Sequence, residues 1–199
     1  MDRHLLEKYG GPVPRYTSYP TAPQFHDGIG AAAYADWLTA LGPGDGPVSL
    51  YLHIPYCREL CTYCGCNTKI TRRYAPIAGY VTDLTAEIDL VAANVGEPLA
   101  VSHVHFGGGT PNILGGDDFL ALMGQLRRSF TFGPDTETAV EVDPRVLTGD
   151  MAEAMAAAGV TRVSIGVQDL NEDVQRAINR VQPLSVVRRA VAMLRGAGI

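Results

Sequence analysis

The sequence predicts an α/β protein built on a parallel sheet. Short apolar runs alternate with segments of helical period, and the alternation repeats four times between residues 48 and 199. Every unusual motif follows one of the apolar runs, at the strand ends where parallel sheets place chemistry. With 199 residues, 46% of them hydrophobic, the chain can bury one core. A formal charge of −5 and the absence of a basic run argue against a nucleic-acid partner. No apolar run approaches the ~20 residues that span a bilayer. No basic-then-apolar leader opens the chain, so no membrane association and a cytoplasmic location are expected.

Residues 1–47 are rich in Pro and Gly and read as an irregular arm. Pro12, Pro14, Pro20 and Pro23 force extended or turn backbone around Arg15-Tyr16-Thr17-Ser18-Tyr19-Pro20-Thr21-Ala22. A helix over residues 31–41 would place Trp37 and Leu41 on one face. Residues 48–54 are almost continuously apolar, as in a strand buried on both faces. Ile77, Val81, Leu84, Ile88, Val91 and Val95 recur in steps of four and three, giving a helix over 75–95 with one buried stripe. Strands follow over 101–106, 138–142 and 161–167, and helices over 117–129, 148–158, 171–179 and 185–195. Gly159 closes the third of the helices that follow strands, and Ile199 reads as the first residue of another strand.

All four cysteines lie in Cys57-Arg58-Glu59-Leu60-Cys61-Thr62-Tyr63-Cys64-Gly65-Cys66, spaced C-x3-C-x2-C-x-C. A disulfide inside so short a loop restrains the unfolded chain little. Structural zinc usually draws two cysteines from each of two separated knuckles, and no second knuckle is present. A 4Fe–4S cube, held by a compact Cys run with one iron left open, fits the spacing better. Zinc and unligated thiols remain the competing readings on spacing alone.

Other residues have a structural reading, and some a chemical one beside it. Tyr51, on an apolar run, by itself reads as a core tyrosine. His53 shares its strand face and is left unassigned. Tyr63, between two cysteines, is a packed aromatic or a stacking platform. Gly107-Gly108-Gly109-Thr110-Pro111 is no dinucleotide fingerprint, but it would let backbone approach a ligand. Glu141, ending a strand between valines, is a costly carboxylate unless it bonds something. Gln168 follows a strand, and Arg180 by itself reads as a solvated surface cation.

C-x3-C-x2-C with Tyr63 before its third cysteine resembles the radical S-adenosylmethionine (SAM) enzymes. Cys66, the string Pro14–Thr21 and the Gly-Gly-Gly-Thr-Pro segment are similar to one group of them, the oxygen-independent coproporphyrinogen III oxidases. The likeness runs from about Pro14 to Ile199. It implies a partial radical SAM (TIM-like) barrel with about four of the usual six βα units, residues 48–199 forming the incomplete core and 1–47 the arm. It also implies a 4Fe–4S cluster on Cys57, Cys61 and Cys64, with Cys66 unassigned. A first SAM would meet Tyr51, Tyr63, Gly108 and Glu141. A second would meet Gly109, Thr110, Gln168 and Arg180.

The implied reaction is the oxidative decarboxylation of two propionates of coproporphyrinogen III to vinyls, in heme biosynthesis, with an electron donor as partner. Members of the group are more than twice as long, so the resemblance implies an N-terminal fragment, inactive alone. The rivals are a related radical SAM protein of heme handling, against which the arm and Cys66 argue, and a non-catalytic zinc module.

Overall fold

The computed structural model describes residues 3–11 and 20–199. Pro14 to Tyr19, the greater part of the arm string, therefore lies outside the described residues. The chain divides into two compact units, with the division between Trp37 and Leu38. In the first, α1 (Arg3–Tyr9) has no buried residue. Helix α2 (Ala31–Ala40) forms where its periodicity predicts, but the anticipated packed face does not: no α2 residue is buried, and Trp37 is 55% exposed. Six of the ten α2 residues are alanine or threonine, and such small side chains bury little apolar area.

The second unit holds a four-stranded sheet of β1 (Val48–Ile54), β4 (Ala100–Gly108), β5 (Thr131–Val142) and β6 (Arg162–Ile165), in that order and parallel throughout. A second, two-stranded sheet pairs β2 (Tyr56–Cys57) with β3 (Lys69–Ile70). The helices between strands are α3 (Ala75–Asn94), α4 (Gly116–Ser129) and α5 (Gly149–Ala157), followed by α6 (Glu172–Ala177) and α7 (Leu184–Gly196). Each neighbouring pair of the four-stranded sheet thus has the helical crossover that parallel strands require.

Helix termini follow local chemistry. The Thr148 hydroxyl accepts from Met151 N–H at 3.2 Å and caps α5, while Gly159 ends it at φ +79°. Asn171 accepts from the N–H groups of Asp173 and Val174 to start α6. The α3 stripe packs over its first four members, Ile77, Val81, Leu84 and Ile88, whereas Val91 is half-buried and Val95 lies past the helix end in extended backbone. Phe119 of α4 meets Phe106 of β4, ring centroids 4.9 Å apart.

Two expectations for the sheet fail. β1 is covered on one face: Leu52 and Ile54 are buried, whereas Ser49 and Tyr51 are exposed, Tyr51 by 58%. A continuous apolar run does not say which face each residue takes, and a tyrosine has a polar end suited to an open face. Glu141 is half exposed on that same face, so its carboxylate carries no full burial penalty. The open face is polar, with His105 and Glu141 between buried neighbours on β4 and β5, and Ser164 between partly buried ones on β6.

Candidate functional site

The cysteine loop begins where β1 ends. Lys69 N–H donates to the Pro55 carbonyl at 2.7 Å and Thr71 N–H to that of Cys57 at 2.9 Å, closing residues 58–68 into a loop. Inside it, Cys64 N–H donates to the Cys61 carbonyl at 3.1 Å. The loop is also tied to a segment far along the chain. Thr62 N–H donates to the Ile178 carbonyl at 3.1 Å, and Asn179 Nδ2 to that of Leu60 at 2.7 Å. Asn179 holds φ +52°, a left-handed conformation that asparagine tolerates better than most residues.

The strand ends gather around one cavity of about 550 Å³. Cys57, Cys61, Cys64, Cys66 and Tyr63 line it from the loop, and Gly108, Gly109 and Thr110 from the end of β4. Glu141 contributes from β5, and Gln168 and Arg180 from beyond β6. Of the residues singled out from sequence, Tyr51 stands apart. It lies on the open sheet face, stacked on His105 at 5.8 Å between centroids, with its hydroxyl 3.1 Å from His53 Nδ1. His53 Nε2 in turn meets the Asn67 carbonyl at 2.8 Å, and His105 Nε2 lies 3.4 Å from Glu141 Oε1.

The glycines serve the protein's own packing before any ligand. A Cβ on Gly109 would sit 2.7 Å from the Tyr56 carbonyl oxygen and 2.9 Å from its nitrogen, and Gly108 holds φ +110°. The Thr110 hydroxyl is buried and lies 3.2 Å from Cys57 Sγ, where Thr68 Oγ1 also donates at 3.4 Å.

A buried ionic network backs Cys61, and the sequence reading missed it. Asp143, 7% exposed, accepts from Arg145 Nε and Nη2, the latter at 2.6 Å, and lies 3.3 Å from Arg180 Nη1. Arg180, 8% exposed, donates to Gln182 Oε1 at 3.0 Å, to the Gly166 carbonyl at 2.9 Å and to Cys61 Sγ at 3.6 Å. Burial pushes the Asp143 carboxyl up, but Arg145 and Arg180 together hold it below the usual carboxylate range. Desolvation raises the Tyr63 phenol, with Arg180 offsetting part of the rise. The signal for this network was Asp143-Pro144-Arg145 directly after a strand, with Arg180-Val181-Gln182 directly after a short helix.

The residues fit a polynuclear cluster. Four free cysteines border one cavity, three of them in the compact C-x3-C-x2-C run of the loop. A single tetrahedral zinc needs every sulfur at about 2.3 Å. A cube takes one thiolate per iron and requires wider spacing. Cys66 is the exposed member; partial desolvation and the Cys64 side chain raise its thiol pKa.

Comparison with known proteins agrees with this chemistry. The radical SAM superfamily model matches residues 51–199. An oxygen-independent coproporphyrinogen III oxidase from Bradyrhizobium diazoefficiens is 53% identical over all of this chain, and its counterpart from Escherichia coli is 42% identical over 91% of it. The chain spans 44% and 39% of their respective lengths. A solved coproporphyrinogen III oxidase structure from Escherichia coli, described as a radical SAM enzyme, superposes with a TM-score of 0.84 at 39% identity. That match covers 97% of this chain and 42% of the solved one. Among the described residues no helix is long and apolar enough to cross a membrane.

Proposed function

This chain belongs to the radical SAM superfamily, and on that footing we propose that it carries the cofactor-binding core of an oxygen-independent coproporphyrinogen III oxidase. Residues 48–199 are that core and residues 1–47 the arm before it. The observation that carries the reading is the convergence of Cys57, Cys61 and Cys64 with Gly108, Glu141 and Arg180 around one cavity at the ends of parallel strands.

Cys57, Cys61 and Cys64 are the ligands of a 4Fe–4S cluster. When bound, the cluster and SAM supply the one-electron and radical chemistry, here directed at two propionates of coproporphyrinogen III. The protein's own work is to orient and shield. Thr68 and Thr110 fix the Cys57 thiolate by hydrogen bonds. Tyr63, on the cavity wall, presents a π face for the adenine of SAM. Gly108 offers main chain to its amino group, and Glu141 accepts from ribose hydroxyls, steadied by His105. Tyr51 lies on the sheet face beside Glu141, where its ring can meet a sulfonium.

A second SAM is received by Gly109, Thr110, Gln168 and Arg180. Three of the five N–H donors of Arg180 are already committed within the protein, so a carboxylate contact uses those that remain. The protein works in the cytoplasm with an electron donor, and the 199-residue chain alone binds its cofactors without turning over substrate.

Anaerobic reconstitution with iron and sulfide, then EPR of the dithionite-reduced protein with and without SAM, tests this. A reduced-cube signal that changes with SAM supports the open-iron site. Zinc bound in place of a cluster, or a signal indifferent to SAM, refutes it.

A further inference from the structure

We propose that Arg180, clamped by Asp143 and Gln182, is the residue that sets the charge at the Cys61 corner of the cluster and so tunes its reduction potential. The inference rests on the assignment of Cys61 as a cluster ligand.

Arg180 is not a mobile surface cation. Its Nε donates to Gln182 Oε1 at 3.0 Å and its Nη2 to the Gly166 carbonyl at 2.9 Å. Gln182, with no exposed surface, is itself fixed at both ends. Its Nε2 donates to the carbonyls of Gly166, at 3.0 Å, and Val167. Its main-chain N–H donates to Gln175 Oε1 at 2.9 Å. Gln175, 1% exposed, donates in turn to the carbonyls of Asp169 and Gln182. Every buried side-chain polar atom among the described residues has a partner. A fully satisfied buried network of this kind holds its members in one arrangement, and here the arrangement points Nη1 at Cys61 Sγ.

The surrounding charges make Arg180 the group with leverage on that sulfur. Arg145 also interacts with Cys61, but it is engaged by Asp143 at 2.6 Å and reaches Glu59 at 3.8 Å, two anions that offset its charge. Asp143 is farther from Arg180, at 3.3 Å, and leaves that guanidinium only partly compensated. Cys61 is 8% exposed, so water screens the pair weakly. A cation and an N–H donor beside a ligating sulfur favour the reduced, more negative cluster.

The test is an EPR-monitored redox titration of the reconstituted full chain and three variants. R180Q removes the charge and should lower the ratio of reduced to oxidised cluster at a fixed solution potential at least tenfold, a shift of about 59 mV for a one-electron couple. R180K keeps the charge and should recover most of that. D143N removes the opposing anion and should shift the ratio the other way. Opposite signs for R180Q and D143N distinguish tuning from scaffolding, because a merely structural pair would lose cluster in both. An unchanged ratio in R180Q overturns the inference. So does loss of cluster from folded R180Q and D143N alike. If the unsubstituted chain assembles no cluster, the ligand assignment falls first, and the inference with it.

Discussion

Gly109→Ala should damage the cysteine site from within, while Gly107→Ala, two residues earlier, should be nearly silent. The Gly109 Cβ would lie 2.7 Å from Tyr56 O, 2.8 Å from Thr68 Oγ1 and 2.9 Å from Tyr56 N. Favourable contacts begin near 3.5 Å, so the neighbour must retreat by roughly 0.8 Å. Two of those three atoms are main chain of β2, which cannot swing away. It is held by Lys69 N–H to the Pro55 carbonyl, by Thr71 N–H to the Cys57 carbonyl, and by Gly109 N–H to the Ile54 carbonyl at 2.9 Å. Overpacking of this kind costs about 1–3 kcal/mol, and a chain of this size loses about 2–4 °C in Tm per kcal/mol. A fall of roughly 2–12 °C follows from those two ranges. The displacement passes directly to Cys57, so iron per chain after reconstitution should fall as well.

A Cβ on Gly107 meets only the ends of side chains, Tyr51 Cε2 at 2.9 Å and Glu141 Oε2 at 3.2 Å, and both residues are half exposed or more. They can rotate into solvent, which limits the change to about 0.5 kcal/mol. Circular-dichroism melts and iron analysis on the two variants side by side decide the matter. Equal melting temperatures and equal iron content would refute the internal origin of these glycines and leave ligand approach as their reason.

Gln168 holds φ +63° on the cavity wall, so Gln168→Gly should raise stability by about 1 kcal/mol, read in urea unfolding, while weakening SAM binding by calorimetry. Tyr74 accepts from Gly115 N–H at 2.7 Å and donates to Asp118, and burial with that carboxylate pushes its phenol up to about 12. Its folded pKa is raised, so its contribution should be complete below about pH 10 and lost as pH rises through about 12. Tyr74→Phe should cost about 1 kcal/mol at pH 8 and converge on the parent at high pH in denaturant melts. The Asp143 carboxyl is depressed in the folded state, so its stabilisation should be present above about pH 4 and fade as acid titrates it. D143N should flatten that limb of the stability profile. Phe119→Ala, at a fully buried ring packed on Phe106, should cost about 3–5 kcal/mol by the same assay.

What the sequence made legible was local. The first four members of the α3 stripe, Thr148 before α5 and the compact cysteine run each carry their signal within a turn or a loop, and each is where it was expected. The Asp143–Arg180–Cys61 network was legible only as two separate polar clusters; their meeting at the cysteine loop was not, because Cys61 and Arg180 are 119 residues apart and no periodicity links them. Chemistry was assigned to Glu141, whose setting between two valines suggested burial. The buried carboxylate is Asp143, two residues on, where the chain has left the strand and turned under the cysteine loop. The face of β1 was misjudged for a related reason: Val48–Ile54 is apolar enough to suit either side, and only pairing with β4 decides which side the helices cover.

That division of faces explains how one sheet can both fold and hold a site. Along β4, Val104 and Phe106 have no exposed surface and belong to the core, whereas His105, between them, lies against Tyr51 and Glu141 on the open face. The period of two makes the separation unavoidable. A substitution at Val104 or Phe106 acts through packing, and one at His105 acts on groups at the site with little effect on the core. β5 repeats the pattern, with Val140 and Val142 buried around Glu141. At the end of each strand the alternation stops and the loops take over. There Cys57 follows β1, Thr110 follows β4, Asp143 follows β5 and Gln168 follows β6, in the order in which the strands lie. The parallel arrangement is therefore itself a positioning device. Four chain segments remote in sequence arrive at one edge pointing the same way, and the contacts from Thr110 to Cys57 and from Asp143 to Arg180 to Cys61 join those arrivals into a single site.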